Sequence, residues 1–203
     1  MLFRSSYDLR GNFGHSDFDV RHTFTSYITY NLPAPSHAKL LLGGWQLNSL
    51  MSIHTGTPFT VYAGKNVSGT FEGKDLVDVV GDPFKGVSHD VANGFVQWVN
   101  PAAFALPAAG TFGNEQRNQF YGPGLTQVDF SVFKNTPITE RVTTQLRIEM
   151  FNIFNHTNLG GLGTTFSSGS FGRITDTIGD FNGATGIGAG EPFNVQLGLK
   201  IVF

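Results

Sequence analysis

Hydrophobic and polar residues alternate along five segments of the chain, and this alternation predicts β-strands. The last segment shows it most plainly, because every second position is hydrophobic: Phe193, Val195, Leu197, Leu199, Ile201 and Phe203. Successive side chains of a strand point to opposite faces, so each segment has one apolar face and one polar face. The predicted strands are residues 20–32, 43–54, 126–135, 141–154 and 193–203.

The connections between these segments alternate between short and long. The stretches "PAPSHAK" and "TPITE" are short, whereas residues 55–125 and 155–191 are long and rich in Gly, Asn, Ser and Pro. Transmembrane β-barrels have short periplasmic turns and long extracellular loops, and strands of about ten residues match their tilted crossing of the bilayer. The pattern therefore predicts an all-β fold, namely an antiparallel transmembrane β-barrel segment with long extracellular loops.

The polar faces of the predicted strands carry Thr, Asn, Gln and Ser with a few charges of both signs. A soluble sheet would expose more Lys and Glu, so this composition favours a polar lumen. The residues expected to line that lumen are Asp129, Gln145, Arg147, Glu149, Asn194, Gln196 and Lys200.

The hairpin between the third and fourth predicted strands offers a register. Folding it symmetrically about Ile138 pairs Asp129 with Arg147 and Gln127 with Glu149. Opposite charges directly across a ladder stabilise it, so we expect a contact between Asp129 and Arg147.

Five strands do not close a barrel. An open sheet in lipid leaves two edges of unpaired N–H and C=O groups, which are costly in hydrocarbon. We therefore expect this chain to be a piece of a larger barrel or one part of an oligomeric barrel. The N-terminal stretch "MLFRSSYDLRGNFG" has no apolar core typical of a signal peptide, so the export signal is expected elsewhere.

Composition excludes several other classes of protein. With 13 Lys+Arg against 15 Asp+Glu the chain is nearly neutral, which argues against a nucleic-acid partner. No apolar run is long enough for a transmembrane helix, and no enzyme or phosphate-binding motif occurs. Asp75, Asp78 and Asp82 do not have the spacing of a calcium-binding EF-hand loop. We expect no enzymatic activity, no cofactor and no metal.

Several aromatic residues lie in the first long connection. Phe95, Trp98, Phe104 and Tyr121 could contact a ligand at the outer mouth, or they could pack the loop against itself. The sequence leaves both alternatives open.

Several stretches resemble one family: "SDFDVRHTFTSYITYNLP", "GGWQLNSLMSIHTGTPFTVYAG", "FKNTPITERV", "LRIEMFNIFNHTN" and the terminal "VQLGLKIVF". They are similar to the C-terminal part of TonB-dependent outer-membrane transporters, in particular the Oar-like subgroup with a carboxypeptidase-regulatory-like domain. The resemblance implies a 22-stranded barrel in the bacterial cell outer membrane, of which this chain supplies about five strands.

The resemblance also implies partners. These are outer-membrane lipid, the rest of the barrel, a plug domain, and an inner-membrane energy-coupling protein that acts through the plug. Leu199, Ile201 and Phe203 match the ending that the barrel-assembly machinery recognises. The function implied is active uptake of a large or scarce ligand. Two alternatives remain: a soluble β-sandwich or lectin-like binding module, and an adhesin-like barrel without transport.

Overall fold

A computed structural model describes residues 10–34, 39–178 and 190–203, and within them the chain is mostly β with little helix. It forms two compact units. The strand unit comprises His22–His54, Leu125–Asn158 and Thr177–Phe203, and the loop unit comprises Met1–Arg21, Thr55–Gly124 and Leu159–Asp176.

The described strands follow one another along the chain as five long strands and seven short ones. In chain order they are β1 (Thr23–Asn31), β2 (Trp45–His54), β3 (Pro58–Phe59), β4 (Asp78–Val79), β5 (Val91–Ala92), β6 (Phe95–Gln97), β7 (Phe104–Ala105), β8 (Phe120–Tyr121), β9 (Leu125–Pro137), β10 (Thr143–Phe151), β11 (Arg173–Ile174) and β12 (Asn194–Val202). Each long strand falls on a segment that the alternation predicts, because β-branched and aromatic residues favour the extended backbone there.

Helical elements are short. The described ones are α1 (Lys39–Leu42) and two single-turn 3-10 helices, Arg10–Asn12 and Pro101–Ala103. Asn100 caps the second of these by accepting a hydrogen bond from the Ala102 N–H. Among the described residues, no helix is long and apolar enough to cross a membrane.

The five long strands form one antiparallel sheet in the order β1-β2-β9-β10-β12. Its register places whole rows of like residues side by side. One row is polar across all five strands: Thr29, Asn48, Ser131, Glu149 and Gln196.

The row next to it is apolar across all five strands: Tyr30, Leu47, Val132, Ile148 and Leu197. Because neighbouring rows point to opposite faces, the sheet has one polar face and one apolar face. The alternation read from the sequence is therefore continuous in the folded sheet.

The register predicted for the β9–β10 hairpin is wrong by four residues. Arg147 lies opposite Phe133 rather than Asp129, and Glu149 lies opposite Ser131 rather than Gln127. The turn itself explains the difference. The Thr139 hydroxyl accepts hydrogen bonds from the N–H groups of Arg141 and Val142, which centres the turn beyond Ile138. The shift is even, so each side chain keeps its predicted face.

The loop unit is a folded body with three small sheets of its own. They have the orders β11-β6-β5, β3-β8 and β4-β7, and each pairing is antiparallel. The connections predicted as long, weakly periodic loops thus contain secondary structure.

A hydrophobic core holds the loop unit together. Its buried members come from far apart in the chain: Val61, Ala63, Val77, Val99, Ala103, Phe104, Phe120 and Phe171. Phe104 meets Phe120 and Phe171 edge-on, with ring centres 5.7 and 5.3 Å apart. Edge-to-face aromatic pairs of this kind stabilise a core beyond their buried area alone.

Candidate functional site: the polar face of the sheet

All seven residues predicted to line the lumen share the polar face of the sheet. The cross-strand pairs place Gln145 beside Lys200 and Glu149 beside Gln196, and Asn194, Asp129 and Arg147 follow the same alternation along their strands. No described contact joins Asp129 to Arg147, because the two lie in different rows.

Asn48 is the centre of a hydrogen-bond network on this face, and it was not among the predicted site residues. Its side-chain oxygen accepts from the Thr29 hydroxyl at 3.0 Å and from Gln46 Nε2 at 2.8 Å. Its Nδ2 donates to the Ser131 hydroxyl at 3.3 Å. The side chains of three neighbouring strands are therefore linked, and Asn48 is only 5% exposed. The alternation pattern marked Asn48 as polar-facing, but its burial could not be predicted from it.

Asp129 accepts hydrogen bonds that stabilise the chain at the end of β10. Its carboxylate accepts hydrogen bonds from the Asn152 N–H at 2.9 Å and from Gln127 Nε2 at 2.9 Å. Asn152 is buried in a left-handed conformation with φ of 49°, and its Nδ2 donates to the carbonyls of His156 and Glu191. Asn tolerates this conformation better than most residues. Asp129 and Asn152 together close the end of the strand opposite the short turns.

Arg147 forms a second polar group nearer the short turns. Its Nε donates to Gln145 Oε1 at 2.6 Å, and Gln145 Nε2 donates to Asn135 Oδ1 at 2.7 Å. The guanidinium carbon lies 4.9 Å from the centre of the Phe133 ring. Phe133 follows the alternation onto the polar face.

A recess of about 220 Å³ opens on the polar face between these groups. Tyr27, Asn48, Ser131, Asp129 and Glu149 contribute polar atoms to its lining. Leu50, Phe133 and Phe151 add aromatic and apolar side chains to the wall, and Phe130 and Met150 also line it. Such a surface combines hydrogen-bonding groups with rings, which suits contact with a hydrated polar molecule or with another polar protein surface.

The opposite face is hydrophobic and exposed. Leu197 is 71% exposed, and Leu199 and Ile201 lie on the same face of β12. Phe203 follows the end of β12 and is exposed. An apolar face of this extent is typical of a surface that contacts lipid rather than water. The role of Leu199, Ile201 and Phe203 as an assembly signal stays a prediction.

The loop aromatics separate into different environments. Phe104 is 4% exposed and belongs to the loop-unit core. Trp98 is partly buried; its ring stacks on His89 at 4.2 Å between ring centres, and its Nε1 donates to the Tyr121 carbonyl. Phe95 is partly buried under the Arg173 guanidinium at 4.3 Å.

Tyr121 contacts, within the loop unit, the segment that precedes β1. Its hydroxyl donates to Asp19 at 2.8 Å and accepts from Arg21 Nε at 2.9 Å. Desolvation, followed by the hydrogen bond to Asp19, raises the pKa of Tyr121 above that of an ordinary tyrosine. The phenol therefore stays protonated and continues to donate its hydrogen bond to Asp19.

Asp17 forms a neighbouring polar contact. It accepts from Arg117 at 2.9 Å and from Asn118 Nδ2 at 2.7 Å, and the hydrogen bond from Asn118 is the main reason why the pKa of Asp17 is lowered. Asn118 is buried and exchanges two further hydrogen bonds with Thr60. The carboxylate is thus held charged in a polar cluster.

The three aspartates of the "KDLVDVVGD" stretch bind backbone groups instead of forming one cluster. Asp75 accepts from the N–H groups of Val67 and Ser68, Asp78 from Asn114, and Asp82 from Phe84. In the part of the chain that the structure describes, no group of three or more His, Cys, Asp or Glu is placed to hold a metal ion.

Comparison with known proteins assigns the family. A family model described as "Outer membrane beta barrel domain" matches residues 2–185, which is most of the chain. Neither a curated protein nor a solved structure matches it. Membership of this family overturns the alternative of a soluble β-sandwich. A sheet with one polar and one apolar face agrees with an outer-membrane barrel. The chain belongs to the outer membrane beta barrel domain family and lies in the bacterial outer membrane.

Proposed function

We propose that the chain forms part of the pore wall and the outer loops of a TonB-dependent transporter for a large or scarce ligand. The observation that carries the proposal is the unbroken polar row Thr29, Asn48, Ser131, Glu149 and Gln196 across all five strands. The resemblance of the β9–β10 hairpin to that transporter family supplies the finer assignment.

The polar face suits a wall along which a hydrated molecule moves. Its side chains are already hydrogen-bonded to one another, as in the Thr29–Asn48–Ser131 chain, so little reorganisation is needed when water or ligand moves past. Charges of both signs occur, with Asp129 and Glu149 opposed by Arg147 and Lys200. A wall that carries charges of both signs does not bind ions of either sign tightly.

Further strands and partners complete the proposal. In the described residues β1 and β12 each pair along one side, and an unpaired edge costs several kcal/mol per group in hydrocarbon. We propose that other strands of a complete barrel cover these edges after the assembly machinery has recognised Leu199, Ile201 and Phe203. A plug would lie against the polar face and receive energy from an inner-membrane coupling protein. The proposal assigns the chain no catalytic step, cofactor, metal or nucleic-acid partner.

The loop unit would take part in ligand capture outside the cell. Long connections of outer-membrane barrels are extracellular, and this one has its own packed core instead of a loose chain. Partly buried rings such as Trp98 and Tyr121 are then held in fixed positions. An adhesin-like barrel without transport would use the same rigid unit, and this is the alternative that an experiment must separate.

Energy dependence separates the two functions. The chain has no cysteine, so Ser131→Cys on the polar face and Ser88→Cys in the loop unit each add one thiol to this part of the protein with little change in size. A membrane-impermeant maleimide is added to cells that carry the complete gene product, with and without a protonophore or the coupling protein.

A transporter predicts that labelling at position 131 slows several-fold when the cells are de-energised, because the plug then stays seated. Labelling at position 88 is expected to stay constant. Equal rates at position 131 in energised and de-energised cells would contradict transport and favour the adhesin-like alternative.

A further inference from the structure

Helix α1, in the short connection between β1 and β2, carries three consecutive exposed leucines. Leu40, Leu41 and Leu42 are 63%, 72% and 50% exposed. Single exposed leucines are common on protein surfaces, whereas a run of three calls for a functional explanation.

Two side chains hold α1 through its backbone carbonyls. Trp45 Nε1 donates to the Leu41 carbonyl at 3.0 Å. Lys134 Nζ donates to the Leu40 carbonyl at 2.9 Å and also to the Gly43 carbonyl. The two side chains are partners across β2 and β9, with the amine 5.4 Å from the indole centre.

Both of these side chains belong to the apolar face. Trp45 is two residues before Leu47, and Lys134 is two residues after Val132, and those hydrophobic residues belong to the apolar row of the sheet. Residues two apart on a strand share a face. Helix α1 is therefore held from the apolar side of the sheet, and its leucines continue that surface beyond the end of the strands.

The chemistry of the two holding residues fits a membrane boundary. A lysine on the lipid face is costly at the bilayer midplane and tolerated near the interface, where its stem lies along apolar surface while its amine finds polar partners. Tryptophan is enriched at the same level of the membrane. The end of the barrel with the short connections is the periplasmic end.

We propose that α1 is a lipid anchor at the periplasmic boundary of the outer membrane. Residues 40–42 insert among the acyl chains of the inner leaflet, and Trp45 and Lys134 hold the helix in place. The occupant is phospholipid, because the leucines are continuous with the apolar face of an outer-membrane barrel. This anchor requires a membrane barrel but not transport, so it goes beyond the proposed function.

Lipid contact at α1 is measured with a label at Leu41. The complete gene product carrying Leu41→Cys is labelled with a fluorophore and reconstituted in phosphatidylcholine vesicles that contain a nitroxide lipid. Glu140→Cys is the matched control, because Glu140 is exposed in the other short connection. We expect the nitroxide lipid to quench the label at position 41 several-fold more than the label at position 140.

Equal quenching at the two positions would overturn the anchor. So would a label at position 41 that is shielded from both the nitroxide lipid and an aqueous quencher, since protein would then cover the leucines.

A second variant tests whether the Lys134 amine holds α1 in place. In the Leu41→Cys background, Lys134→Met keeps the stem but removes the amine that holds α1, and it should lower the quenching several-fold. Lys200→Met is the control, because Lys200 is on the polar face. Quenching unchanged by Lys134→Met would refute the role of Lys134.

Discussion

Arg147 lies directly opposite Phe133 on the polar face, and its guanidinium carbon is 4.9 Å from the centre of the Phe133 ring. A guanidinium above an aromatic ring is attracted by the negative face of that ring. The pair therefore gives a row of the polar face a flat, charged side chain held close to the sheet.

This contact predicts energetic coupling between the two residues. In a double-mutant cycle with Arg147→Ala and Phe133→Leu, we expect a coupling free energy of about 0.5–1 kcal/mol. Reversible unfolding of the complete protein in detergent, followed in urea, measures it. Strictly additive effects would show that the two side chains do not interact.

The Asn48 network predicts a larger stability effect at one buried position. Asn48→Leu removes the partner of Thr29, Gln46 and Ser131, and leaving such groups unsatisfied costs about 1–3 kcal/mol. Thr25→Val is the control, because Thr25 is exposed on the same face and its change should cost under about 0.5 kcal/mol. The urea concentration at the midpoint of unfolding is measured for both variants, and it should fall further for Asn48→Leu. Equal midpoints would argue against a network centred on Asn48.

The loop unit depends on close backbone contacts that a single methyl group would disturb. A Cβ added at Gly113 would lie 2.3 Å from the Val77 carbonyl oxygen, whereas one added at Gly161 meets nothing within 4 Å. We expect Gly113→Ala to destabilise the loop unit by about 1–3 kcal/mol through overpacking, and Gly161→Ala to be nearly neutral. Protease digestion of intact cells measures the difference, and equal resistance of both variants would contradict this packing.

The Asp17 contact predicts a response to acid. Its hydrogen bond from Asn118 and that from Arg117 lower the pKa of Asp17 below the ordinary 3.8, so the stabilisation is present above that value. It is lost only as the pH falls through the lowered pKa of the folded state. Hydrogen exchange of residues 115–121 should stay slow at neutral and mildly acidic pH and rise in stronger acid.

Asp17→Asn is the variant that checks this assignment. It should abolish the acid-dependent step, whereas Asp90→Asn, at an exposed carboxylate elsewhere in the loop unit, should retain it. An unchanged acid response in Asp17→Asn would show that another group is responsible.

The division of the sheet into two faces could be predicted from the sequence because it depends only on a period of two. Gln145 and Lys200 were assigned to one face without any knowledge of their pairing, and they are cross-strand partners. The hairpin register could not be predicted in the same way. A surface charge pair such as Asp129 with Arg147 contributes little, and the hydrogen bonds of Thr139 determine where the turn lies.

The loop unit was beyond prediction for a different reason. Asn118 bonds to Thr60 and to the His15 carbonyl, which are 58 and 103 residues away. Local periodicity carries no information about such pairs, and the Gly-rich stretches that allow close backbone approach resemble ordinary loops. Phe104 is likewise buried by residues distant in the chain, such as Phe171.

We expect the apolar face of the sheet to contact lipid and the polar face to stay away from it. Leu197→Arg and Gln196→Arg place the same charge at adjacent positions of β12, one on each face. Measured as unfolding free energies of the complete protein in a bilayer, Leu197→Arg should cost about 2–4 kcal/mol near the midplane and Gln196→Arg close to nothing. Equal tolerance of both substitutions, or a greater cost for Gln196→Arg, would contradict the assignment of the two faces.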